Sequence, residues 1–151
     1  MNPFRLRRWS GPASVKIVNV LMFNISWFAI LLTQSSLLAP IIVLLNLSAH
    51  FYLMGKGKPE LLVVAGVTAF GLVVDQLLFA TGVFNLEGKA TYAPLWLTCL
   101  WPVFATTLMH AFDWLQTKMI LSIIFGAVGG TLSYIAGIRL TSIEFGSLFW
   151  G

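Results

Sequence analysis

Two histidines and five acids make up this chain's store of general acids, bases and hard metal ligands. Of the acids, only Asp75 stands deep inside an apolar run, LLVVAGVTAFGLVVDQLLFATGVF. An acid at the centre of a membrane helix costs roughly 2.5–3.5 kcal/mol to insert, so it needs a partner or a function. It reads either as a hydrogen-bonded carboxyl tying its helix to a neighbouring Asn, Thr or His, or as a proton carrier or catalytic acid–base. His50 and His110 add imidazoles that titrate near neutral pH and suit proton relay or metal ligation. Each follows a polar residue by four positions, Asn46 before His50 and Thr106 before His110, which hints at a two-hairpin repeat. With Asp75 or Asp113 they would supply nitrogen and oxygen donors for a metal. No HxxxH, HExxH or CxxC spacing accompanies them, so neither a metal nor a cofactor is assigned. Asp113 reads as a hydrated headgroup-level residue answering Lys118, while Glu60, Glu87 and Glu144 fall in connectors or the tail. The single cysteine, Cys99, excludes an intrachain disulfide framework and reads as core packing.

The elements that must position these groups follow from composition. Hydrophobic residues are 58% of the 151 and charged ones 9%, against about 45–50% and about 25% in soluble domains. Fourteen charged side chains cannot cover a soluble fold of this size, and the mean hydropathy of +0.90 agrees. Soluble enzyme, nucleic-acid module and disordered chain are set aside. Walker, GxSxG and dinucleotide fingerprints are absent, as is a serine–lysine dyad within the apolar runs. A membrane helix needs about 20 mainly apolar residues, and five runs qualify, over about residues 17–33, 37–54, 61–84, 94–115 and 119–138. The sequence therefore predicts a single domain over residues 1–151, an all-α polytopic membrane bundle of five transmembrane helices. Pro102 marks a kink in the fourth. The basic N-terminal segment reads as an uncleaved anchor, because more spans follow it and no small-residue cleavage site does.

Lysines and arginines in short connectors set orientation. Arg5, Arg7, Arg8, Lys16, Lys56, Lys58 and Lys118 fall on one side, and Lys89 and Arg139 on the other. That places the N-terminus in the cytoplasm and the C-terminus outside. The net charge of +4 is then a topology signal. Trp9, Tyr52 and Trp114 form the inner aromatic belt, and Tyr92, Trp96 and Trp150 the outer one.

Polar residues inside spans face the bundle interior. The expected inner cluster is Asn24, Asn46, His50, Asp75, Thr106 and His110, with Asp113 at its border. Asn24 serves as the central polar group of the first span, and Asp75 and Asn46 lie near mid-membrane. Thr68, Gly71, Asp75 and Gly82 form one stripe on the third span. Gly126, Gly130, Ser133 and Gly137 form a small-residue stripe on the fifth, including a GxxxG that lets another helix backbone approach. That approach occurs within the bundle or between two copies.

The run PLWLTCLWPVFATTLMHAFDWL at 94–115, followed by FGAVGGTLSYIAGIRL at 125–140, resembles a small bacterial inner-membrane family catalogued as domain of unknown function 2878. The resemblance extends to Asn24, Trp27 and Phe28, to Asp75, and to Gly82 and Val83, and so covers essentially the whole chain. This chain has Gly130–Thr131 where the family often has Gly-Pro, and its aliphatic run at Pro102 is shorter, so local helix geometry differs. The resemblance implies that Trp96, Thr106, Thr107, His110 and Tyr134 belong to a shared pattern. It also implies a genomic setting of lipid-modifying and light- or stress-response functions, without assigning a reaction.

The leading expectation is a multi-pass protein of the bacterial cytoplasmic (inner) membrane without chemistry of its own. It would bind a lipid or apolar small molecule in the bundle, or accompany an envelope lipid-modifying system. One alternative is a small permease or transporter subunit using Asp75 with His50 or His110 as a proton or substrate site. Another is an intramembrane lipid-modifying enzyme with His110 as base, assisted by Asp113 or Asp75. Expected partners are membrane lipids and either a second copy or another membrane protein, and no nucleic acid.

Overall fold

A computed structural model describes residues 12–86 and 92–146. The expected belt residues Trp9 and Trp150, the topology residues Arg5, Arg7, Arg8 and Lys89, and Glu87 lie outside the described residues. Three long helices open the chain: α1 (Ala13–Thr33), α2 (Leu38–Met54) and α3 (Lys58–Ala80). Gln34 ends α1 in the left-handed region at φ 46°, and the Ser35 hydroxyl accepts the Leu38 N–H to start α2. Pro59 opens α3, where a missing N–H costs nothing. At its far end Gly82, at φ 75°, lets its own N–H reach the Phe79 carbonyl and the Val83 N–H reach that of Leu78. This Schellman closure stops the third helix at Ala80, four residues short of the expected 84.

The chain then forms β1 (Phe84–Leu86), which pairs antiparallel with β2 (Ile143–Phe145), Phe84 opposite Phe145 and Leu86 opposite Ile143. The bundle is therefore helical with one short ladder rather than all-α. The alternation that marks a strand is too short over three residues to separate from the apolar runs around it.

The fourth apolar run is not one helix. It breaks into α4 (Leu95–Thr98), α5 (Leu100–Ala105), a string of tight turns and a 3₁₀ turn (Asp113–Leu115). The Pro102 ring occupies the space of the Thr98 carbonyl one turn earlier and offers no N–H in return. Beyond α5 the Thr106 and Thr107 hydroxyls, each at 2.6 Å, bond back to the carbonyls of Val103 and Phe104. Hydroxyls that compete in this way favour turns over continued helix. The Thr106/His110 spacing thus lies outside regular helix and does not repeat the Asn46/His50 geometry of α2. α6 (Met119–Leu140) is the last helix among the described residues and leads into β2.

These five segments run alternately between two ends. One end is apolar: Ile30, Leu31, Phe79, Phe84, Trp96 and Ile143 pack together under the ladder. Trp96, expected in an aromatic belt, is 3% exposed and belongs to this core. The other end gathers buried polar groups. The exterior is apolar, with Leu44, Leu45, Leu62 and Ile123 all exposed. α1, α3 and α6 are each long and apolar enough to cross a membrane. An exposed apolar surface of this extent marks a membrane or protein interaction face. No residue of α6 is buried.

Candidate functional site

Glu60 stands in the first turn of α3, three residues past the Gly55–Lys56–Gly57 link from α2. The acid is favoured there by the helix dipole. One carboxylate oxygen, Oε2, accepts the Lys56 N–H at 2.8 Å and closes the link, much as a capping-box glutamate does. The other, Oε1, accepts from two imidazoles: His50 Nε2–H at 2.6 Å and His110 Nε2–H at 2.8 Å. His50 comes from the last turns of α2, and His110 from the turns after α5, which direct it inward. The rings lie edge to face, 4.9 Å apart. Glu60 and His50 are wholly buried, and His110 is 2% exposed.

Around this triad the Asn19 amide donates to the Thr106 carbonyl at 3.1 Å and contacts His50 Nδ1 at 3.4 Å. Asn19 Oδ1 and His110 Nδ1 are buried without a hydrogen-bond partner. Lys56 Nζ donates to the Met109 carbonyl at 2.7 Å. Burial pushes the Lys56 pKa down against the opposing pull of Glu60 and Asp113. Lys16 binds Asp113 at 2.8 Å. Asp113 therefore answers Lys16 rather than Lys118, whose ammonium lies over the Trp114 ring at 5.8 Å.

Asp75 belongs to a separate site. It lies 15 residues along α3 from Glu60, about 22 Å at 1.5 Å per residue. It stands in the last third of the helix rather than at its centre. Trp101 Nε1–H donates to one of its oxygens at 2.8 Å and the Tyr134 hydroxyl to the other at 2.9 Å. Gly71, one turn before Asp75, makes this possible, since a Cβ there would collide with the Trp101 indole. The partners of Asp75 are thus Trp and Tyr, not the expected Asn, Thr or His. The structure does not unite Asp75 with either histidine.

Asn46 is buried and donates to Ser26 Oγ at 2.9 Å, joining α2 to α1. Asn24 is not in the cluster. It faces outward and bonds back to the Val20 carbonyl. The inward face of α1 is Asn19, Ser26 and Ile30, spaced seven and four apart. Asn24 lies about 160° from Ser26 at 100° per residue.

A cleft of about 730 Å³ lies between α6 and the side chains of α1, α3 and α5 that face it. Phe23 and Trp27 of α1, Trp101 and Phe104 of α5, and Phe125 of α6 form aromatic walls, with Asp75, Gln116, Ser122 and Ser133 as polar points. The stripe of Gly126, Gly130, Ser133 and Gly137, expected to pack against a helix, lines this cleft instead. Cβ atoms added at Gly126, Gly129, Gly130 or Gly137 would meet nothing within 4 Å.

Fold and site together define a helical bundle with three helices able to span a membrane, a buried His–Glu–His triad at one end and an aromatic cleft along its side. Residues 16–151 match the family described as Protein of unknown function (DUF2878), and the chain belongs to that family. No curated protein and no solved structure matches it.

Proposed function

We propose that this chain is a five-pass protein of the bacterial cytoplasmic membrane that holds a lipid or apolar small molecule in the cleft beneath α6. The observation that carries the reading is the cleft itself: about 730 Å³, walled by aromatic side chains and floored by a glycine stripe that no neighbouring backbone uses. Its size falls within the ~300–1,000 Å³ of small-molecule pockets. Lipid tails solvate an apolar ligand as well as a protein wall does, so hydrophobicity alone gives no selectivity inside a bilayer. Shape against Trp27 and Trp101, with hydrogen bonds at Gln116 and Ser133, supplies it.

The five alternating segments support five passes, the broken fourth among them. The seven-to-two division of basic residues supports a cytoplasmic triad end and an external ladder end. Titration of the purified full chain with a brominated fatty acid tests the ligand reading through the wall tryptophans. Saturable quenching that an unbrominated chain competes away is expected. Quenching that rises linearly with lipid, as in free partitioning, contradicts it.

A further inference from the structure

We infer that His50, Glu60 and His110 form a binding site for a divalent first-row transition metal ion, of the zinc or ferrous class. Three potential ligand atoms, one from each side chain, lie within 4.8 Å of one another. Two of them, the imidazole Nε2 atoms, point at the same oxygen, Glu60 Oε1. α2, the first turn of α3 and the turns after α5 thus bring their donors together at one place. Metal bonds of about 2.0–2.2 Å set tetrahedral ligand atoms roughly 3.3–3.6 Å apart, so the nitrogen–oxygen separations of 2.6 and 2.8 Å must widen on binding.

The donor set decides the class of ion. Two imidazoles with one carboxylate suit zinc and ferrous iron, whereas magnesium and calcium take oxygen donors. Three protein ligands are the number found where a fourth position is kept for water or substrate. Supporting groups are in place. The Lys56 N–H fixes the second oxygen of Glu60. Beside His50 Nδ1 the Asn19 amide carries an oxygen without a partner. Turning that amide presents Oδ1 to Nδ1–H, the tautomer that frees Nε2 for a metal, at the expense of the bond to the Thr106 carbonyl. The site shares no residue with the cleft lining and does not rest on the ligand reading.

The test is Co²⁺ titration of the chelator-treated full chain in detergent, read by visible ligand-field absorption. One Co²⁺ per chain is expected, displaced by Zn²⁺ and not by excess Mg²⁺. Glu60→Gln and His110→Gln should lose more affinity than the roughly 10–100-fold that removal of a supporting group costs. Asn19→Ala should fall within that range. Should the ligand variants fail to fold, the wild-type chain still decides, since Zn²⁺ must raise its Tm where Mg²⁺ does not. Absence of a stoichiometric Co²⁺ spectrum, or of a zinc-dependent Tm rise, makes the triad a proton-sharing hydrogen-bond cluster only and overturns the proposal. Wild-type affinity in folded Glu60→Gln does the same.

Discussion

His110 Nε2 donates to Glu60 Oε1 at 2.8 Å across fifty residues of sequence. That bond closes one end of the bundle, because it joins the turns after α5 to the first turn of α3, where His50 of α2 also converges. Removing the shared acceptor leaves two buried imidazole donors and the Lys56 N–H without it. Glu60→Ala should therefore cost about 1–3 kcal/mol per orphaned group, though not additively. Glu60→Gln, which keeps one acceptor oxygen, should cost less. Thermal unfolding of the full chain in detergent measures both, and equal stability of wild type and Glu60→Ala would remove the triad from the account of folding.

Gly71 and Gly126 make opposite predictions. A Cβ at Gly71 meets the Trp101 indole, which must stay in place to donate to Asp75. Gly71→Ala should destabilise by about 1–3 kcal/mol through overpacking. Gly126→Ala meets open space and should be neutral, or stabilising by up to about 1 kcal/mol from helix propensity. Comparing the two Tm values checks the close approach of α5 to α3.

Asp75 and the triad should behave as independent sites. They share no hydrogen-bond partner, and about 22 Å of helix separates Asp75 from Glu60. A double-mutant cycle on Asp75→Asn and His110→Gln should be additive within about 0.3–0.5 kcal/mol. A larger coupling would restore a joint proton pathway through Asp75 and the histidines.

Topology can be read by cysteine labelling, with native Cys99 buried and so giving a low background. Cysteines placed at Ser14 and Gly57 should react from the cytoplasmic side. Those at Ser36 and Ser142 should react from the opposite side. Labelling of Ser14→Cys and Ser36→Cys from one side would contradict the five-pass reading.

Much of this molecule was legible in its sequence, for specific reasons. Long apolar runs gave α1, α3 and α6, because hydrocarbon thickness dictates helix length more strictly than any propensity. The Pro102 kink was readable as well, but not the depth of the break. Two threonine hydroxyls past α5 turn a kink into a run of tight turns, and that depends on competition between side-chain and backbone bonds. His50, His110 and Asn46 stood out as polar groups in apolar runs and are indeed buried. Glu60 was hidden because GKGKPE reads as a connector. The available signal was Pro59, which marks the first helical turn and so carries Glu60 into α3, directly after the helix of His50. On α1 it is Asn19, not the expected Asn24, that takes the inner face. Only the phase shared with Ser26 and Ile30 separates Asn19 from Asn24. The glycine stripe was visible as small residues, but sequence does not distinguish a surface that receives a helix from one that lines a cleft.

The cleft is the centre of the account, and α6 allows it to be filled by mutation. Gly126→Leu with Gly130→Leu places two side chains in space where Cβ atoms meet nothing, so folding should persist. The measurement is native mass spectrometry of wild type and this double variant, purified identically, followed by identification of the released molecule. A discrete apolar adduct is expected on the wild-type chain, and the variant should lose it at unchanged Tm. An adduct retained equally by both, or absent from the wild type, would contradict the ligand reading.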